Sequence, residues 1–143
     1  MGKDEDAVLM FKEGYSCSQT MLSTYGQEFG IDKATALKIS APFGGGMARM
    51  GETCGAVTGA FMVIGLKYAN GKDSKDKVYS IVKKFVDEFK IRNKSIVCKE
   101  LLGYAISTPE GMKSVKEKKL IDAICPKLVK DAAEILEEIL RST

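Results

Sequence analysis

The sequence predicts an all-α fold, a single domain (residues 1–143) of seven to eight short helices around a central apolar helix. Apolar residues recur every three or four positions along most of the chain, and we find no strand-like alternation of apolar and polar residues. With 143 residues, of which 45% are hydrophobic and 29% charged, the chain has the composition of one globular domain. No repeat, linker or low-complexity segment divides it.

The spacing of apolar residues, together with N-cap residues, glycine and proline, gives approximate helix bounds. In chain order, the predicted helices cover residues 4–12, 16–29, 33–40, 54–69, 74–89, 97–104, a segment starting at 108, and 120–140. Four of the starts carry typical N-cap residues: Ser16, Asp32, Ser74 and Thr108. Four stops coincide with glycine or proline: Gly14, Gly30, Pro42 and Gly71. The last helix contains Pro126, which predicts a kink or a later start there.

The fourth predicted helix, residues 54–69, is expected to be the central one. It is apolar around most of its circumference, which is typical of helices inside a core. Gly55 and Gly59 are spaced four apart, so neighbouring backbones can approach this helix closely. We interpret that spacing as tight packing within the domain, and a homodimer stays open.

Composition excludes several functional classes. The chain has no histidine, which removes Cys-His and Ser-His pairs, histidine metal ligands and histidine acid–base catalysis. A net charge of +3, spread along the chain, does not indicate nucleic-acid binding. The apolar stretch 54–66 is shorter than the roughly 20 residues that cross a bilayer, so we expect no stable membrane insertion. The acidic N-terminal segment MGKDEDAVLM does not resemble a signal peptide, and a cytoplasmic location is expected.

The four cysteines are the candidate catalytic residues. Cys17, Cys54, Cys98 and Cys125 all fall near predicted helix starts, where the helix dipole and free N–H groups lower the pKa of a thiol. Cys54 has the strongest case, since Gly51 and Gly55 are expected to leave its surroundings open. The competing interpretation is that the cysteines are small core residues, which suits Cys98 and Cys125 best.

A glycine-rich segment precedes Cys54. Gly44, Gly45, Gly46, Gly51 and Gly55 form a weakly predicted binding loop whose N–H groups are expected to face the sulfur or an incoming group. The octapeptide GMARMGET approaches a phosphate-binding loop, but Glu52 replaces the lysine and no hydrophobic strand precedes it. Nucleotide binding is therefore not predicted, although Arg49 can help an anion to dock at the helix start.

The order of these features resembles a known family. Cys17, the triple glycine, the core Cys54-Gly55-Ala56-x-x-Gly59, then Cys98 in CKELLG and Cys125 resemble the C_GCAxxG_C_C family of small proteins described as redox-active. The resemblance covers nearly the whole chain. It implies that the four cysteines match the family cysteines and that the chemistry is redox chemistry, and it implies no particular substrate.

Three functions follow as hypotheses. The first is thiol–disulfide chemistry without a cofactor, in which Cys54 attacks, Cys17 resolves, and the other two cysteines form a second pair. Its partner would be a redox protein or a small thiol. The second is a zinc or iron–sulfur site on Cys17, Cys54, Cys98 and Cys125, although no two of them form a close C-x-x-C pair. The third is a binding module whose surface includes Met47, Met50 and Met62.

Overall fold

The computed structural model describes residues 2–142 and confirms the all-α fold. These residues form eight right-handed α-helices and three short 3₁₀ turns. The helices are α1 Lys3–Lys12, α2 Cys17–Gly26, α3 Lys33–Ser40, α4 Gly55–Tyr68, α5 Lys75–Asn93, α6 Cys98–Leu102, α7 Pro109–Glu117 and α8 Leu120–Ser142. No helix in this part of the chain combines the length and the hydropathy needed to span a membrane.

Three of the four predicted N-caps are confirmed. At the start of α2, the Gln19 N–H donates to the Ser16 hydroxyl (3.3 Å), and the Ser16 N–H donates to the Gln19 side chain (3.0 Å). Asp32 accepts from the Thr35 N–H at 3.0 Å, and Thr108 accepts from the Gly111 N–H at 3.0 Å. Each cap satisfies an N–H group that the helix itself leaves without a partner.

The predicted capping role of Ser74 is wrong. Ser74 precedes α5, but its hydroxyl donates to the Gly71 carbonyl (2.9 Å) and accepts from the Asn70 N–H (2.7 Å). The side chain therefore stabilises the turn before the helix. Ser74 also ends a 3₁₀ turn with φ −91° and ψ 1°, whereas a capping serine usually has extended backbone.

Helix α4 lies at the centre of the main core, as predicted. Most of its residues are buried, and it packs against α2, α5 and α8. A β-carbon on Gly59 would lie 2.7 Å from the Met21 Cβ and 2.9 Å from the Ser18 carbonyl oxygen of α2. Only glycine permits this approach, so the four-residue spacing serves close packing between α2 and α4.

The end of α6 and the position of Cys125 within α8 differ from the prediction. Helix α6 stops at Leu102, because Gly103 adopts a left-handed conformation (φ 81°) that closes the helix. Helix α8 begins at Leu120 and continues through Pro126, so Cys125 lies inside the helix and not at its start. The prediction for Cys125 was wrong because proline removes one hydrogen bond but does not always end a helix.

Candidate functional site

Cys17 and Cys54 meet where two helix N-termini come together. Cys17 is the first residue of α2, and Cys54 is the N-cap of α4. A β-carbon on Gly55 would lie 3.2 Å from the Cys17 Cβ and 3.0 Å from the Ser18 nitrogen. The glycine after Cys54 therefore lets the two helix starts approach until their thiols interact.

A single antiparallel bridge brings Cys98 beside this pair. Thr53 and Val97 form the bridge, the Cys54 N–H donates to the Ile96 carbonyl at 2.7 Å, and the Cys98 N–H donates to the Glu52 carbonyl at 2.6 Å. These backbone bonds fix the starts of α4 and α6 next to each other. Two cysteines that are distant in sequence thus share one end of the bundle.

The glycine-rich segment forms a left-handed turn against Cys98. Residues 45–49 all have φ between 52° and 69°. A β-carbon on Gly46 would lie 2.6 Å from the Cys98 Cβ and 2.7 Å from the Glu52 nitrogen. This position therefore requires glycine for two reasons: the positive φ angle, and the lack of room for a side chain. Left-handed geometry disfavours non-glycine residues by roughly 1–2 kcal/mol each, and three of them adopt it here: Met47, Ala48 and Arg49.

Three N–H groups of this loop form hydrogen bonds within the loop itself. Those of Arg49, Gly51 and Glu52 donate to the carbonyls of residues 44, 45 and 46 within the loop. The backbone N–H groups that hydrogen-bond the Cys54 sulfur come instead from Ala56 and Val57 in the first turn of α4. The loop contributes shape, and the helix N-terminus contributes the donors.

A cavity of about 880 Å³ opens beside the cysteines, and all four of them line it. Gly44, Gly45, Gly46 and Gly55 of the predicted binding loop also line it, whereas Gly51 is not among the lining residues. Cys54 is 4% exposed, and Cys17 and Cys98 are each 9% exposed. The expectation that glycines leave Cys54 open was therefore wrong, because they let neighbouring backbone pack closely around it.

The surroundings of Cys54 favour a thiolate, whereas those of Cys17 favour a protonated thiol. The Cys17 thiol and the N–H groups of Ala56 and Val57 hydrogen-bond the Cys54 sulfur, and together they outweigh burial and lower the pKa of Cys54. The pKa of Cys17 is raised well above its ordinary value by its hydrogen bonds with Cys125 and Cys54 and by burial. Of these two thiols, only Cys54 is thus stabilised as an anion.

Cys98 departs from the helix-start expectation. Burial, followed by the charges of Cys54 and Cys125, raises the pKa of Cys98 to about 12. The general prediction that helix starts lower all the cysteine pKa values is therefore wrong for Cys17 and Cys98. Desolvation and neighbouring sulfurs outweigh the helix terminus at both positions.

The arrangement of the side chains that could ligate a metal can be compared with the metal-site hypothesis. Among residues 2–142, no group of three or more cysteine, aspartate, glutamate or histidine side chains is arranged to hold a metal ion. Cys17 interacts with both Cys54 and Cys125, while Cys98 acts on them only through longer-range charge. Cys17 thus interacts directly with Cys54 and Cys125, and Cys98 lines the same cavity.

Two features of the site were missed by the sequence analysis. Cys125 reaches Cys17 from the interior of α8, and Lys12 and Lys116 of α1 and α7 join Arg49 in lining the cavity. Neither feature carries a local signal, since the residues concerned lie on separate helices with ordinary amphipathic patterns. The sequence identified Cys125 as a candidate from its place near a predicted helix start and from the family resemblance, and its contact with Cys17 is visible only in the structure.

The comparisons with known proteins agree with this arrangement of cysteines and glycines. No curated protein and no solved structure matches the chain. One family model, described as "Putative redox-active protein (C_GCAxxG_C_C)", matches residues 15–139 and so includes all four cysteines and the left-handed turn. The chain therefore belongs to the C_GCAxxG_C_C family.

Proposed function

We propose that this protein catalyses thiol–disulfide exchange, with Cys54 as the attacking thiolate and Cys17 as the resolving thiol. The observation that carries the proposal is the contrast within one interacting pair, in which the pKa of Cys54 is lowered and that of Cys17 is raised. This arrangement favours a nucleophilic thiolate on Cys54 relative to Cys17, which keeps its proton and hydrogen-bonds it.

The first step forms a mixed disulfide. The Cys54 sulfur attacks one sulfur of an external disulfide in the cavity, the S–S bond of the substrate breaks, and one substrate thiolate leaves. The N–H groups of Ala56 and Val57, which hydrogen-bond the Cys54 sulfur, hold it at the start of α4 for this attack.

The second step releases the product. Once Cys54 is in a mixed disulfide it no longer carries negative charge, so one of the causes that raise the pKa of Cys17 is removed. Cys17 then loses its proton to the departing thiolate and attacks the Cys54 sulfur, which forms the Cys17–Cys54 disulfide. The substrate disulfide has gained two electrons and one proton, which the two cysteines have lost, and it leaves as one thiol and one thiolate.

Cys125 is the natural next partner of Cys17. Its thiol also hydrogen-bonds Cys17, and it is the least buried of the four cysteines. Attack of the Cys125 thiolate on the Cys17 sulfur would form a Cys17–Cys125 disulfide and release Cys54 as a thiolate, and an external thiol that reduces this disulfide would complete the cycle. All four cysteines are unpaired in this structure, which suits a reducing, cytoplasmic setting, and the exchange needs no cofactor.

Trapping the intermediates tests the proposal. The protein is mixed with oxidised glutathione, quenched in acid, alkylated and mapped by mass spectrometry. We expect a Cys17–Cys54 disulfide in the wild type, a glutathione adduct on Cys54 in Cys17→Ser, and almost no fast reaction in Cys54→Ser. Cys98→Ser is the matched control, because Cys98 is equally buried but is not hydrogen-bonded to the pair, and it should keep the wild-type pairing.

Other results would favour the competing hypotheses. Four thiols that stay free after oxidation would overturn the proposal and favour a binding module. Stoichiometric zinc or iron in the anaerobically purified protein would overturn it in favour of a metal centre. The rate of Cys54 alkylation should rise with pH around a midpoint below the value of about 8.5 of a free thiol, and a midpoint above that value would contradict the role of Cys54.

A further inference from the structure

We propose that the cavity selects a small organic anion with an apolar body, so that the substrate is a low-molecular-weight thiol or disulfide that carries a carboxylate or similar group. This inference rests on the proposed function for the reaction. The class of ligand is inferred only from the residues that line the cavity and from their charges.

The size of the cavity fits a small molecule. Its volume of about 880 Å³ lies within the range of roughly 300–1,000 Å³ that is common for small-molecule sites. The sulfur of Cys54 belongs to a side chain that is only 4% exposed, so a reacting group must enter the cavity to reach it. A disulfide on the surface of a folded protein is poorly shaped for that entry, whereas a small disulfide fits inside.

The charged side chains of the cavity favour an anion. Lys12, Arg49 and Lys116 line it, and the only acidic lining residue is Asp122. The three cations come from the end of α1, the left-handed turn and α7, and all are solvent-exposed. None of them forms a salt bridge with another residue of the described range 2–142. Their charges therefore remain available to a ligand at the cavity mouth.

The left-handed turn positions the Arg49 side chain at the cavity. Arg49 has φ 64°, and a β-carbon on Gly45 would lie 2.9 Å from the Arg49 Cγ. The stem of the arginine thus lies back over Gly45, which also lines the cavity. A right-handed turn would send the side chain elsewhere, so the unfavourable backbone conformation serves to fix a cation beside the thiols.

The remaining wall is apolar. The lining side chains that do not carry charge are mostly aromatic or aliphatic, and they include Phe11, Tyr15, Leu101, Ile106, Met112 and Ile121. An anion without an apolar portion would leave this surface in contact with water. The combination favours a ligand with both features over an inorganic ion.

Two alkylating agents of similar size but different charge test the selection. Iodoacetate and iodoacetamide both alkylate a thiolate, so the ratio of their rate constants at Cys54 measures charge preference independently of any redox reaction. At low ionic strength, we expect a ratio at least threefold higher than that for a free cysteine peptide. Arg49→Gln with Lys116→Gln should lower the ratio at least threefold, and each single variant should lower it by less.

Lys113→Gln is the control, because Lys113 is an exposed lysine of the same helix as Lys116 but does not line the cavity. It should keep the wild-type ratio. As a second measurement, benzoate should slow the alkylation of Cys54 by iodoacetamide more than uncharged benzamide does.

The outcomes separate this inference from the proposed function. A ratio equal to that of the free peptide, or one unchanged in the double variant, would overturn anion selection even if the Cys17–Cys54 disulfide forms. Equal protection by benzoate and benzamide would do the same. Conversely, clear charge selection without disulfide formation would leave an anion site and overturn the exchange reaction.

Discussion

The aromatic core and the cysteine cavity differ in how tightly they are packed and in how strained their backbone is. In the core, Phe85 is fully buried, stacks on Phe89 at a ring distance of 6.1 Å and meets Phe61 edge-on at 6.1 Å. These rings lie on α4 and α5, which have regular right-handed backbone. This region thus buries apolar surface without strain.

The end of the domain that contains the cavity is packed less favourably than the aromatic core. It contains unpaired thiols, an open volume of about 880 Å³ and three non-glycine residues with left-handed backbone. Each feature opposes stability, because strained backbone is disfavoured and an unfilled volume loses packing contacts. Such features persist where the surrounding structure over-determines them, and they often mark functional sites.

The comparison teaches that the strained backbone and the open volume are confined to one end of a continuous core, to which Cys17 and Cys54 also belong. An ion-pair cluster joins α5 to α8 on the side of the core, with Arg92 3.2 Å from Asp131 and 2.8 Å from Glu134. Helices α4 and α8 then extend from that stable region to the cavity, where they carry Cys54 and Cys125. Three variants test this division, in order of expected effect.

The largest effect is expected for Phe85→Ala in the core. Removal of a fully buried phenylalanine should lower the free energy of unfolding by about 3–5 kcal/mol, measured by urea denaturation. Tyr79→Ala on the same helix is the control, since Tyr79 is 56% exposed and its loss should change stability by less than about 0.5 kcal/mol. In both variants, the folded protein should keep the wild-type pH midpoint of Cys54 alkylation. A shifted midpoint in Phe85→Ala would show that the two regions are not separate.

An intermediate effect is expected for Gly46→Ala at the cavity. The new β-carbon would collide with Cys98 and Glu52 in addition to straining the backbone, so a loss of about 3 kcal/mol is expected, together with altered thiol reactivity. Gly103→Ala isolates the backbone contribution, because Gly103 has φ 81° and no atom within 4 Å of its added β-carbon. It should lose only about 1 kcal/mol, and equal losses in both variants would contradict the close packing around Gly46.

The smallest effect is expected for Asp131→Asn in the ion-pair cluster. Burial raises the pKa of Asp131, but hydrogen bonds with Lys127, Asn93 and Arg92 and the charge of Lys127 outweigh it, so the pKa lies below its ordinary value. The variant should lose about 1 kcal/mol at neutral pH.

The pH dependence of this loss has a defined sign. A carboxylate with a lowered pKa in the folded state stabilises the fold fully above its unfolded pKa and loses that contribution as the pH falls through the folded value. The difference in unfolding free energy between wild type and Asp131→Asn should therefore shrink below about pH 4. A difference that grows on acidification would show that the ion pairs are not its source.

The sequence by itself determined the local structure of this protein and the cysteine and glycine pattern by which its family is recognised. Helix periodicity, the caps at Ser16, Asp32 and Thr108 and the apolar character of α4 all depend on neighbours within a few residues, so they can be read along the chain. The order of cysteines and glycines identified the family for the same reason.

Only the tertiary structure decided how the cysteines differ. The lowered pKa of Cys54, the raised pKa values of Cys17 and Cys98, and the contact between Cys17 and Cys125 depend on burial and on sulfurs from separate helices. The cavity likewise exists only where α1, α2, α6, α7 and α8 meet around the left-handed turn. Desolvation and contacts between distant segments are properties of the folded chain, and no local pattern encodes them.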